Sequence, residues 1–251
     1  RWFLLNGLSL NANKSEAILL GTPASSRHDD NPTTIDVAGT AIPITSTLRS
    51  LGITFDSQLS FNQHVDTVCR IAYFHMRSMR CLPPRVLQTV ACSIINAKLD
   101  YCNSLLYGTT GANIAKLQLV QNSLARLVTG KRRFDHITPV LSELHWLPVS
   151  YRIVYKLATI THRTLSTAQP AYLSTCLHRY RPSRTLRSAA HNRLLQPDIR
   201  NYRTDFSRRG FSSSAPTIWN NLPADITDTA ISREVFAKRL KTHLCRLAYA
   251  D

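Results

Sequence analysis

Acid is what this chain is short of. Its 15 Asp and Glu stand against 31 Lys and Arg, a formal net charge of +16 at pH 7. The carboxylates are also scattered, and the only adjacent pair is Asp29-Asp30. That pair lies in a polar loop between Ser25-Ser26 and Asn31-Pro32, not in the aromatic-x-Asp-Asp hairpin of a polymerase. Two-metal phosphoryl transfer needs clustered carboxylates to hold the ions, so the chain carries no candidate metal site of that kind. Nucleophilic catalysis lacks its signature too. Ser142, His145 and Asp135 supply the parts of a triad, but no Gly-x-Ser-x-Gly elbow presents a serine. Gly130-Lys131-Arg132 is without the upstream glycine and following Ser/Thr of a phosphate loop. His145, beside Trp146, is expected to pack in a core.

Paired cysteines and long apolar runs are missing as well. Cys69, Cys81, Cys92, Cys102, Cys176 and Cys245 show no C-x-x-C spacing. Four of them fall in or at the end of helical patterns, which predicts buried, reduced thiols. A zinc knuckle from Cys176, His178 and His191 is short of a second close pair of ligands. No run is long enough to span a bilayer, and no leader pattern opens the chain. We expect no membrane partner and an intracellular protein, nuclear or cytoplasmic. The first residue is Arg1, and Trp2-Phe3-Leu4-Leu5 reads as the end of a helix begun upstream, so we expect a fragment of a longer chain.

What is present is arginine. It makes up 24 of the 31 basic residues, a bias that suits bidentate phosphate contact. Residues 1–60 carry 4 Lys/Arg and 5 Asp/Glu, residues 61–131 carry 8 and 2, and residues 132–251 carry 19 and 8. A polyanion is the natural partner.

Periodicity divides the chain the same way. Asn6-Gly7 marks a turn, followed by a short strand (Leu8, Leu10), a polar bend bearing Lys14, and a strand over Ala17–Leu20. Thr34–Val37 and Ala41–Thr45 alternate around Gly39 as a hairpin, and Leu48–Phe55 reads as a last strand. From Ser60, with Gln63 as its capping-box partner, apolar residues recur at helical spacing. Three amphipathic helices follow, ending near Pro83, Gly108 and Gly130. Beyond them come a short helix from Thr138 to His145, a helix over 150–167, a short helix from Pro216, and a closing helix over 232–249. In that last helix Val235, Phe236, Leu240, Leu244 and Leu247 face inward.

Two basic stretches stand out. Lys131-Arg132-Arg133 follows a helix end and serves either as dipole compensation or as a phosphate clamp. Residues 178–211 hold nine arginines against Asp198 and Asp205, interleaved with Tyr180, Tyr202, Phe206 and Phe211. Arginine with aromatics on a loop fits backbone contact plus base stacking; the plainer reading is a basic linker lying on an acidic partner. Arg179, Tyr180, Arg181, Arg184 and Arg187 are the candidates here.

Several of these segments resemble one family in the same order along the chain. Leu8-Ser9-Leu10-Asn11 to Lys14-Ser15-Glu16 resembles the segment after the catalytic aspartates of LINE-type (non-LTR) retrotransposon reverse transcriptases. Leu51-Gly52-Ile53-Thr54-Phe55-Asp56 resembles their primer-gripping strand. Arg132 to His136 with Leu144 to Pro148, and Ser214-Ala215-Pro216 with Trp219 to Pro223, resemble their C-terminal region. The resemblance implies an α+β, mostly α fold in three parts. These are a small antiparallel remnant of a polymerase palm (1–60), a thumb-like helical bundle (61–131) and a basic, helical C-terminal domain (132–251). It implies template–primer RNA or DNA as partner, together with the N-terminal half that bears the catalytic aspartates and their Mg²⁺; this chain itself is expected to hold no cofactor. A lysine at the Lys14 position is expected near the pyrophosphate leaving group, as an accessory. The alternative is a non-enzymatic RNA- or DNA-binding module derived from such an element.

Overall fold

Short β-hairpins around glycine turns build the first of two compact units, residues 1–66; residues 67–251 form the second. The computed structural model describes residues 2–8, 11–21, 32–37, 39–180, 192–198 and 205–250. The chain is α+β and mostly α, with its strands gathered near the N-terminus.

In the first unit, helix α1 (Trp2–Leu5) ends at the Asn6-Gly7 turn. Leu8 is in no strand, and Leu10 lies outside the described residues. The polar bend is a turn of 3₁₀ helix, Ala12–Lys14. Strand β1 (Ala17–Ile18) is only two residues long, and Leu19 and Leu20 after it are exposed. It runs parallel to β3 (Thr40–Thr45), which pairs antiparallel with β2 (Thr34–Val37) around Gly39. The single strand expected over Leu48–Phe55 is instead a hairpin of β4 (Thr47–Ser50) and β5 (Ile53–Asp56). Leu51 and Gly52 both adopt positive φ, 48° and 80°. Two such residues reverse the chain with a twist that matches the flanking strands.

Asp56 then hands the sheet over to helix α2 (Asn62–Ser78). Its carboxylate accepts the backbone N–H groups of Gln58, Ser60 and Phe61 at 3.2, 2.8 and 2.8 Å. The Ser60 hydroxyl donates to the same carboxylate and accepts from Asn62 N–H. Asp56 thus takes the organising role that the sequence pattern gives to Ser60 and Gln63.

The second unit is a layered set of helices. Helix α3 (Pro84–Ala91) runs into a π-helical segment, Cys92–Asn96, and then α4 (Ala97–Asp100). Cys102 turns left-handed (φ 52°) and ends a helix that periodicity would carry to Gly108. Helix α5 (Gly111–Thr129) starts at Thr110, whose hydroxyl accepts Asn113 N–H, and stops at Gly130 with φ 67°. Helices α6 (Ile137–Glu143) and α7 (Val149–Thr167) pack on α5, so the expected bundle and C-terminal domain share one core. After α8 (Ala171–Ser174), helices α9 (Asp205–Arg209), α10 (Phe211–Asn220) and α11 (Arg233–Tyr249) follow, and α10 and α11 both lie on α7. Helix α10 starts five residues before Pro216 and holds that proline inside it.

The core centres on α5, α7, α10 and α11. Leu117, Val120 and Leu124 of α5, Ile153 and Leu157 of α7, Trp219 of α10, and Phe236, Leu240 and Leu244 of α11 are all nearly inaccessible, and α7 packs against each of the other three helices. Each such side chain contributes about 1.5–3 kcal/mol by leaving water. Val235 and Leu247, expected inward on α11, are exposed: Phe236, Leu240 and Leu244 already fill the stripe that faces α7. The cysteines also differ from expectation. All six are free, yet none is buried, and Cys81 is exposed.

Candidate nucleic-acid interface

Lys14 closes the 3₁₀ turn, where the Ser15 hydroxyl donates to Asn11 O at 2.9 Å. Its side chain is exposed. The turn presents the ammonium to solvent without burying its stem.

Lys131, Arg132 and Arg133 are exposed directly after the left-handed Gly130. Asp135 shapes this turn by accepting Arg132 N–H on its carboxylate at 2.7 Å, while Arg126 donates to the Asp135 carbonyl at 3.4 Å. The bond to Asp135 engages the backbone of Arg132 and leaves its guanidinium outward. Phe134, 92 % exposed beside them, adds an aromatic face to the cations.

The Arg-rich stretch divides. Arg181, Arg184 and Arg187 lie outside the described residues, as does His191 of the considered zinc knuckle. Arg179 is a tie within the fold. Its guanidinium donates to Asn192 Oδ1 at 3.0 Å and Thr229 Oγ1 at 3.5 Å, and its backbone bridges Leu194. Tyr180 N–H donates to Arg193 O, and its ring is half exposed. The opposite side of this ribbon is held by Asn220, whose side chain donates to Leu194 O and accepts Leu194 N–H, both at 2.8 Å. Trp219 Nε1 donates to Asn192 O at 2.7 Å. Arg209, further along, lies over Gly108 and donates to Tyr107 O at 3.2 Å. Among the described residues, no hydrogen bond joins the 131–133 cluster to this ribbon.

A third cationic place was not visible in the sequence. A cavity of about 330 Å³ is lined by Asn103, His145, Trp146, Tyr155, Lys156 and Lys241, with Asp100 and Arg152 at its wall. Arg152 organises it. Its Nη1 meets both Asp100 carboxylate oxygens at 2.9 Å, Nη2 donates to Asn96 Oδ1 at 3.2 Å, and Nε donates to Leu147 O at 3.0 Å. The π-helical segment brings Asn96 to this position. Buried Gln121 donates to the same Leu147 carbonyl, and Gln118 Oε1 accepts Val149 N–H, which fixes the start of α7. His145, expected in a core, is exposed at the cavity mouth with φ 53°; Trp146 takes the buried place instead. The Tyr249 hydroxyl donates to Trp146 O, and burial pushes its pKa up to about 12. Burial also raises Tyr155, so its hydroxyl keeps its proton. The sequence signal for this site is weak, since Asp100 and Arg152 are 52 residues apart and Lys241 is one outward cation of an amphipathic helix.

The divalent ions implied by the reverse-transcriptase resemblance need grouped carboxylates. Among the described residues no three His, Cys, Asp or Glu side chains come together as a metal would require. The described donor set does not fit them. Among the described residues, no helix is long and apolar enough to cross a membrane. No protein-family model, curated protein or solved structure matches the chain.

Proposed function

We propose that this chain binds nucleic acid as the C-terminal part of a LINE-type reverse transcriptase: the palm edge, a helical thumb and a basic C-terminal region. Nucleotide addition then requires the catalytic half and its Mg²⁺. The observation that carries the reading is the partition of charge between the two units. Residues 1–66 hold 4 Lys/Arg against 6 Asp/Glu, whereas residues 67–251 hold 27 against 9. A net charge of +18 on one unit creates a field that draws in and holds a polyanion, and exposed Lys131, Arg132 and Arg133 offer direct phosphate contacts. The rival reading, a non-enzymatic RNA- or DNA-binding module, draws on the same charge and on the scattered carboxylates.

The test is binding of the homogeneous protein to RNA, DNA and template–primer duplexes, with primer extension run beside it. We expect binding to all three that weakens steeply with salt, and no extension with Mg²⁺ or Mn²⁺. Absence of binding at low salt overturns the proposal. Metal-dependent extension above a no-protein control overturns the assignment of chemistry to another segment. Mixing with a separately produced catalytic half discriminates the two readings: restored extension favours the polymerase part, and none favours the binding module.

A further inference from the structure

We propose that the cavity beside Arg152 holds one nucleotide of a bound strand, its phosphate on Lys156 and Lys241 and a sugar hydroxyl or base amine donating to Asn103 Oδ1. The inference rests on the nucleic-acid reading above and gives it a specific seat.

Three observations lead to it. The first is charge. Among the described residues lining the cavity Asp100 is the single acid, and its two oxygens are engaged by Arg152. Lys156 and Lys241, both exposed at the rim, are left to attract an anion. They come from α7 and α11, so the site exists only in the folded unit.

The second is an orphaned acceptor. Asn103 is 3 % exposed, and its Oδ1 is buried without a hydrogen-bond partner among the described residues. Its amide orientation is set by Asp100, which accepts from Nδ2 at 3.5 Å. Turning the amide over would set two oxygens against each other. A buried acceptor without a donor is costly, and Asn103 lines the very cavity whose rim is cationic. A ligand with a phosphate and a nearby O–H or N–H meets both demands, and a nucleotide has them.

The third is shape. A cavity of about 330 Å³ lies within the range of small-ligand sites. Trp146, Leu147 and the Tyr155 ring give it apolar walls, and a planar base can lie against such surfaces. A neighbouring hollow of about 590 Å³ shares His145 and Lys241 and continues to Arg246, which gives the rest of a strand a basic path.

The experiment is fluorescence anisotropy with short oligo(rA) and oligo(dA), using the full chain as wild type, Asn103→Leu and the double variant Lys156→Ala/Lys241→Ala. Asn103→Leu removes an unsatisfied acceptor, so its melting temperature should equal or exceed wild type. Its affinity for oligo(rA) should fall about tenfold, the scale of one lost contact, with the salt slope unchanged. The double lysine variant should flatten that slope by about 0.7 units, the share of the one phosphate that the two lysines hold. A loss confined to oligo(rA) assigns the donor to the 2′-hydroxyl, and a loss shared with oligo(dA) assigns it to the adenine amine. Polyglutamate of matched charge should fail to displace the strand; displacement at equal concentration would turn the site over to acidic protein segments and overturn the proposal. Wild-type affinity in Asn103→Leu, or a wild-type slope in the lysine variant, overturns it as well. In those cases wild type still binds, whereas failure of the underlying reading shows as no binding by any form. Should Asn103→Leu not fold, the lysine variant decides alone, because its two exposed side chains lie outside the core.

Discussion

His162 shows how a single residue couples the core to pH. It is 1 % exposed, stacks on Phe236 at 4.1 Å with 14° between the rings, lies beside Trp219, and among the described residues neither nitrogen has a partner at hydrogen-bond geometry. Burial disfavours the imidazolium and lowers its pKa from 6.5, while the nearby Ile231 backbone and Asp228 oppose this more weakly. Above 6.5 both folded and unfolded states hold a neutral ring, and the full stability is present. As pH falls below 6.5, the unfolded chain takes up a proton that the folded chain refuses. Stability should then drop by up to about 1.4 kcal/mol per pH unit until the folded pKa is reached. Thermal denaturation between about pH 7.5 and about pH 5.5 measures this drop. His162→Phe keeps the stack and should remove that part of the pH dependence; an equal drop in the variant assigns the acid sensitivity elsewhere. Arg179 and Tyr180 make a second contrast between neighbours. Arg179→Ala loses its ties to Asn192 and Thr229 and should lower stability by about 1 kcal/mol. Tyr180→Ala leaves the fold intact and should weaken nucleic-acid binding by ~1–3 kcal/mol with the salt slope unchanged, because stacking releases no ions. Full binding by Tyr180→Ala removes this ring from the interface.

At the scale of elements, the junctions matter more than the helices. Asp56 satisfies three backbone N–H groups between β5 and α2. Asp56→Ala should cost about 1–2 kcal/mol, the range for a lost helix cap, measured by urea denaturation. Asp56→Asn should recover part of this, since an amide oxygen still accepts; equal loss in both would mean that charge rather than hydrogen bonding is required. Gly108 is a second junction. Its φ is +69°, and a Cβ there would meet Arg209 Cγ at 2.7 Å. Gly108→Ala should therefore cost more than the ~1 kcal/mol of a left-handed conformation alone, and an unchanged urea midpoint would show that α9 gives way freely. These elements also mark where the sequence can and cannot be read. The amphipathic stripes of α5, α7 and α11 and the stop at Gly130 follow from local spacing, and the structure has them. The hairpin at Leu51-Gly52 is hidden because leucine rarely takes positive φ, so one strand reads where two form. The break at Cys102 and the π-helical turn before it have no local signal. Arg152, more than fifty residues further along the chain, bonds both Asn96 and Asp100 there. Arg179 and Arg209 read as free cations for the same reason, since their partners lie 13 to 102 residues distant.

For the whole molecule, the question is which cations meet phosphate and which hold the fold. Composition alone cannot separate them, because a structural arginine and a binding arginine carry the same charge. The structure separates two of the nine in the Arg-rich stretch, Arg179 and Arg209, by their bonds to Asn192, Thr229 and Tyr107. The Lys131-Arg132-Arg133 turn is the opposite case: its backbone is fixed by Asp135 and its side chains face solvent. Each phosphate neutralised releases condensed counterions, with a slope of log affinity against log salt of about −0.9 per contact on duplex DNA. Replacing all three residues with Ala should thus flatten the slope by up to about 2.7 units. Stability should stay close to wild type, because Asp135 bonds the backbone and no core side chain is touched. The measurement is duplex affinity across a salt series for wild type and the triple variant, with melting temperature as the control. A flattened slope at constant stability places this turn on the phosphate backbone. A wild-type slope shows instead that the three cations only balance the C-terminal dipole of α5, and the strand must then be held by the cations of α7 and α11.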